Sequence, residues 1–302
     1  MEQSWKQAKA VFAGALGPPL LWLVLFFLVP LAIVWAYSFG NNDGLTEIAI
    51  TGTFKNYARA IEPLYLKIFI KSVWVAAITT GLCLVIGFPV ALAITFASEK
   101  TKTWLLLLIM LPFWTNLLIR TYALIAVLRT EGYVNMGLEW LWKGGGTIGA
   151  LLGLAPIGEF QPLELLHNNF AVILGLIYVH LPFMVLPLYS ALDRLDKSLL
   201  EASLDLGAGH MRTLFKVVVP LALPGIASGI LITFIPALGA YLTPDLLGGP
   251  DSQMIANVIE RQFKRANDWP FGAAMSFLLM YLTFIAIAIQ AVLSRKAPEG
   301  KA

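Results

Sequence analysis

The chain has 302 residues, 58% of them hydrophobic and 13% charged, with a formal net charge of +3 and a mean hydropathy of +0.77. Soluble domains carry roughly 25% charged residues, so this composition excludes a water-facing globular surface and points to a polytopic membrane protein. The small net charge and the lack of a basic run interleaved with aromatics argue against nucleic acid. The one cysteine, Cys83, excludes disulfide and cysteine-based metal frameworks, and three histidines (His167, His180, His210) are too few and scattered for a metal cluster.

A bilayer core needs about 20 apolar residues in a helix. Six stretches meet or approach that length: about 17–39, 68–97, 104–128, 170–192, 217–242 and 271–293. None contains an acidic residue, and Lys71 and Arg120 alone bring charge into them. The predicted organisation is an N-terminal tail (1–16), a membrane domain (17–294) and a C-terminal tail (295–302). Lys6 and Lys9 precede the first stretch as in a signal peptide. Its apolar run exceeds the 7–15 residues of an h-region and no small-residue cleavage site follows, so a retained helix is expected. Pro30, Pro89, Pro112, Pro182, Pro187, Pro224 and Pro236 lie inside the stretches and predict kinks, which packed membrane helices tolerate.

With the N-terminus in the cytoplasm, both tails, 98–103 and 193–216 share one side, where eleven Lys and Arg face seven Asp and Glu. The other side has nine against eleven. That bias predicts cytoplasmic N- and C-termini.

Residues 193–216, LDKSLLEASLDLGAGHMRTLFKVV from 195 or so onward, form the one sizeable cytoplasmic loop. Leu195, Leu199, Ala202 and Leu206 recur at helical spacing. Asp196 or Ser198 suits the start of that helix, and Gly207 or Gly209 suits a left-handed stop. A second short helix is expected from His210 towards the fifth stretch. So short an amphipathic helix needs a partner, protein or membrane surface, to cover its apolar face.

EASLDLGAGHMRTLFKVVVP, residues 201–220, resembles the EAA loop of binding-protein-dependent ABC importer permeases, whose pattern is E-A-A, three residues, G, nine residues, I-x-L-P. Glu201, Ala202 and Ser203 stand for E-A-A, Gly207 falls at the family's spacing, and Val217, Val219 and Pro220 stand for I-x-L-P. The departures, serine for alanine and valine for isoleucine and leucine, are conservative. LPFWTNLLIRTYAL (111–124), LPFMVLPLYSALDRLD (181–196), DLLGGPDSQMIANVI (245–259) and NDWPFGAA (267–274) are similar to the spermidine/putrescine permeases.

The resemblance implies an all-α membrane protein of about six transmembrane helices with the type I ABC importer permease (MetI-like) fold, sited in a bacterial inner membrane. It implies a coupling segment built from Glu201, Ala202, Ser203, Asp205, Gly207, Ala208 and Pro220 that docks on an ATP-binding subunit dimer. It also implies a second permease subunit, as a heterodimer, and an extracytoplasmic solute-binding protein. No G-x-x-x-x-G-K-[ST] sequence occurs, so this chain is expected to bind no cofactor and to be no enzyme, with ATP and Mg held by the partner ATPase.

A polyamine is a flexible cation, and moving it through low dielectric calls for carboxylates, carbonyls or aromatic faces in place of water. Asp245, in YLTPDLLGGP, is the preferred pathway residue; Glu131, Trp114, Tyr122 and Tyr241 are the other candidates, with Asp251, Asp268 and Trp269 also on the outer side. Arg120 is a poor ligand for a cation, and a structural ion pair is expected of it. Lys71 is expected to snorkel to the outer interface. The glycines of the 143–166 loop match no phosphate-binding pattern. An ion-coupled secondary transporter would show inverted repeats and acidic residues within spans, a membrane enzyme a cluster of His, Cys or carboxylates; neither pattern is found. A permease of the same family for another small solute stays open.

Overall fold

The computed structural model describes residues 9–43, 47–151 and 158–296. Most of the expected tails, 1–8 and 297–302, and residues 152–157 of the 143–166 loop lie outside the described residues. The helices are α1 (Lys9–Leu23), α2 (Val29–Tyr37), α3 (Lys55–Ala60), α4 (Pro63–Thr95), α5 (Glu99–Met110), α6 (Leu117–Leu128) and α7 (Tyr133–Leu151). There follow α8 (Asn169–Leu192), α9 (Lys197–Asp205), α10 (His210–Thr213), α11 (Val219–Leu238), α12 (Leu242–Leu247), α13 (Ile255–Lys264) and α14 (Trp269–Lys296). An antiparallel hairpin, β1 (Gly40–Asp43) and β2 (Glu47–Ile50), pairs Gly40 with Ile50 and Asp43 with Glu47.

Among the described residues, five helices are long and apolar enough to cross a membrane: Ala13–Tyr37, Pro63–Thr95, Asn169–Leu192, His210–Leu238 and Trp269–Val292. The sixth expected span is not one helix. Where 104–128 reads as a continuous apolar run, the chain forms Glu99–Trp114 and Leu117–Gly145, bent by 98°. Pro112 starts a 3₁₀ turn (Leu111–Trp114), Thr115 is extended, and the Asn116 side chain accepts the Leu118 N–H at 2.8 Å, restarting the helix. Proline removes a backbone donor and asparagine caps a new helix, so the break is built by local chemistry.

Two spans carry a π turn just before a proline, Val24–Leu28 before Pro30 and Leu214–Val218 before Pro220. A proline ring clashes with the carbonyl four residues back and offers it no N–H. The wider turn lets the helix continue through the proline without a break.

The chain divides into two compact units, residues 1–66 with 259–282, and residues 67–258 with 283–302. In the first, Leu20 to Val29 all expose between 42 and 66% of their surface, a pattern that suits lipid and not water. The hairpin of this unit is tied down by Asn56, whose buried amide donates to the carbonyls of Ser38 (3.1 Å) and Gly40 (2.7 Å). Arg59 pairs with Asp268 at 2.7 Å and lies 3.9 Å over the Phe271 ring.

In the second unit, α8 and α11 pack closely. A Cβ at Gly225 would run into the Ala191 side chain and lie 2.9 Å from the Pro187 carbonyl; one at Gly229 would lie 2.8 Å from Met184 Sδ. Ala222, Gly225, Gly229, Thr233 and Ala237 are all buried along that stripe, the small-residue seam by which membrane helices approach. Beside it, Cys83, Ala91 and Ile94 of α4 meet Met184, Val185, Leu188 and Leu192 of α8 in the main core.

Candidate functional site: the loop between α8 and α11

Asp193 ends α8, and its carboxylate takes a 2.8 Å ion pair from Lys102 of α5. The Lys102 ammonium holds the Asp193 carboxyl below the ordinary carboxylate value. Asp196 then caps α9, its Oδ1 accepting the Ser198 N–H at 3.0 Å; that bond to the charged form keeps its own carboxyl low. Of the two predicted starts, Asp196 is the one used.

The helix ends in a complete Schellman motif. Ala208 N–H donates to the Ser203 carbonyl (3.1 Å) and Gly207 N–H to the Leu204 carbonyl (2.9 Å), with Gly207 at φ +81°. Left-handed backbone at that position favours glycine, so Gly207, and not Gly209, is the stop. The Ser203 hydroxyl lies 3.0 Å from that of Thr213, joining α9 to α10 across the turn. The chain then runs through the π turn at 214–218 into α11 as one uninterrupted helix from His210 to Leu238. Pro220 follows that π turn inside the continuous helix, and the wider turn accommodates its missing N–H.

The apolar stripe read from the sequence divides between two faces. Leu195 and Leu200 pack against the core with Leu192 and Val218. Leu199, Ala202 and Leu206 point outward, Leu206 with 88% of its surface exposed, and Met211 and Phe215 are also exposed. One stripe covers the chain's own core and the other is bare. Glu201, Asp205 and Arg212 flank it, all exposed. Around Gly207 nothing of this chain lies within 4 Å of where a Cβ would stand. An apolar ridge with charged edges on a nine-residue helix is a docking surface in shape and chemistry.

The candidate pathway residues all lie in the second unit, on or beside α6 and α12. α12 packs along α6, so Tyr122 and the Tyr241–Asp245 turn occupy neighbouring elements. Trp114, before the bend, and Glu131, beyond Leu128, fall past opposite ends of the 12-residue α6, itself about 18 Å long. The outer-side acid Asp268 is committed to Arg59 and caps α14 through the Phe271 N–H, which removes it from the free carboxylates a cation would use. Lys71, expected at the interface, donates to the Asp251 carbonyl.

The ion pair expected of Arg120 is not formed among the described residues. Its Nε is buried without a hydrogen-bond partner, and neither α6 itself nor α8 beside it carries a carboxylate. Sequence reasoning missed two polar anchors. Asn257 is buried, accepts the Met254 N–H (3.1 Å) and donates to the Tyr241 carbonyl (2.8 Å). Ser72 of α4 accepts the Ile255 N–H at 2.8 Å. Asn257 thus ties the Tyr241 backbone to the start of α13, which Ser72 anchors to α4. A lone asparagine in the apolar run MIANVI was the available signal.

Residues 84–297 match the family model described as binding-protein-dependent transport system inner membrane component. The chain belongs to that family, and its fold is that of the ABC importer permeases. It superimposes on a chain of the bacterial alginate ABC transporter, crystallised in complex with an alginate-bound periplasmic protein, with a TM-score of 0.67 at 17% identity, covering 98% of both chains. It is 42% identical over 258 residues to the spermidine/putrescine transport system permease protein PotB of Escherichia coli K12, covering 85% of this chain and 88% of that one. PotB of Haemophilus influenzae is 39% identical over 279 residues, covering 91% and 92%.

Proposed function

We propose that this chain is the membrane permease subunit of an ATP-driven importer for polyamines, putrescine- or spermidine-like cations. The observation that carries the reading is the α9–Gly207–α10 turn, a bare apolar ridge joined without a break to α11. The identity with the two PotB proteins over most of their length supports the choice of solute.

In this reading the loop 193–216 faces the cytoplasm, as do both termini, and seats in an ATP-binding subunit that holds ATP and Mg. Glu201 and Asp205 meet cationic groups of that subunit, while Leu199, Ala202 and Leu206 fill its apolar groove. Gly207 lets the partner approach the backbone. A binding protein delivers solute on the opposite side, and a second, different permease subunit completes the pathway.

Closure of the ATPase dimer pushes the loop. Because α10, the π turn and α11 are one helix, and because Gly225 and Gly229 lock α11 onto α8, the displacement travels as a rigid pair through the bilayer. The site then opens away from the cytoplasm, and hydrolysis resets it. On the far side, Tyr122, Tyr241 and Asp245 present aromatic faces and a carboxylate to a desolvated cation.

Co-purification tests the docking. Wild-type chain retains the ATP-binding subunit; Gly207→Arg or deletion of 199–212 loses it while the chain still reaches the membrane. Equal retention by Gly207→Arg would contradict the docking role.

A further inference from the structure

Helix α7 is not accounted for by coupling or by the pathway. It belongs mostly to the second arm of the bent pair, Leu117–Gly145, and follows α6 after four residues, through a turn closed by Gly132 N–H to the Arg129 carbonyl at 2.7 Å. Its inner side is clamped. Asn135 is buried, accepts the Leu163 N–H at 2.9 Å and donates to the Leu163 carbonyl at 3.0 Å, and the Trp142 indole N–H donates to the Gly158 carbonyl at 2.9 Å. Its outer side is bare. Tyr133, Met136 and Trp140 follow one another at i, i+3 and i+7, each more than half exposed, with Leu141 beside them. Gly137 and Gly144 share that face and have nothing within 4 Å. The charges flank the stripe, with Glu139 and Lys143 paired at 2.6 Å along its edge.

We infer that α7 lies in the plane of the bilayer interface and buries the Tyr133–Met136–Trp140 face in the lipid leaflet opposite the coupling loop. Three observations select lipid as the occupant. The four-residue link limits the start of α7 to about 18 Å from the end of α6, so the helix is held at the membrane boundary. Tyrosine and tryptophan with an apolar body and a polar tip are the side chains that settle at the headgroup level. The face continues the apolar exposure of α6, where Leu118 and Ile119 are also bare. A helix with one such face and a charge pair on its flank has the form of an interfacial helix. The inference rests on the chain's membrane embedding and not on its solute or its ATPase.

The test uses the assembled transporter in liposomes. Cys83, the one native cysteine, is replaced by alanine, and nitroxide labels are placed singly at Tyr133→Cys, Met136→Cys and Trp140→Cys, with Glu131→Cys as the control. Power saturation compares collisions with oxygen, which partitions into lipid, and with a water-soluble nickel chelate. The expected result is an oxygen-to-nickel ratio several-fold higher at 133, 136 and 140 than at 131. A ratio at 136 and 140 equal to that at 131 overturns the inference. So does low access to both reagents, which would mean a protein cover, whether the second permease subunit or, if it appears on adding the binding protein, that protein. Met136 and Trp140 report independently, so failure of one variant to assemble leaves the test intact.

Discussion

At Gly207 the backbone is left-handed and the surrounding space is empty, so a small side chain there meets a conformational cost and no clash within this chain. That cost is about 1–2 kcal/mol for an ordinary residue and less for asparagine, which tolerates the left-handed region. Gly207→Ala should therefore weaken retention of the ATP-binding subunit by about 5- to 30-fold, with Gly207→Asn in between, as measured by subunit titration in detergent. Equal affinity for all three would show that the turn is not held in this geometry when docked. Lys102 and Asp193 make a prediction of a different kind. The Asp193 carboxyl is depressed, so the tie it gives is present at neutral pH and is lost as pH falls through its folded-state pKa, below the ordinary 3.8. Lys102→Met should raise amide exchange of residues 193–200 a few-fold at pH 7, an exposed pair being weak, and the difference should fade in acid. Arg120 shows the limit of reading single residues: a charge in an apolar run predicts a partner, yet its buried Nε has none, because a partner's reach is set by packing and not by the local run.

Helices and their ends were legible to unequal degrees. Five of the six spans follow from hydropathy alone, because lipid demands apolar length and little else. The cap was narrowed to Asp196 or Ser198 and the stop to Gly207 or Gly209 because each rests on the chemistry of one residue; the fold selects Asp196 and Gly207. The break in the third span was legible only as a kink at Pro112; its size, 98°, and the restart of the helix rest on the capping Asn116. Asn116→Ala should cost about 1 kcal/mol by removing the cap, seen as a lower thermal aggregation midpoint. The α8–α11 seam was likewise unread, although Gly225 and Gly229 stand four apart in GIASG. Gly225→Leu should overpack it at a cost of about 1–3 kcal/mol or more; it should depress both that midpoint and transport, while Ser228→Leu, on the exposed side of the same turn, should do neither.

For the whole molecule, composition placed the chain in a membrane and the EAA loop placed it beside an ATPase, but the arrangement of pathway residues needed the folded chain. Tyr241 is held through its carbonyl by Asn257, 16 residues on, and Ile255, two residues before Asn257, by Ser72, 183 residues back, which no local pattern encodes. The pathway role is tested by Asp245→Asn, expected to slow polyamine uptake at least tenfold with docking of the ATP-binding subunit unchanged. The central claim is that movement of the α9–α10 turn, driven by ATP outside this chain, moves a polyamine through it. The most direct measurement is uptake of labelled spermidine by liposomes holding the complete transporter, with binding protein outside and ATP within, for wild type and Glu201→Lys. Wild type should take up spermidine only when both ATP and binding protein are present, and Glu201→Lys, though inserted, should hydrolyse ATP without uptake. Uptake driven by an ion gradient in the absence of ATP, or undiminished uptake by Glu201→Lys, would contradict it.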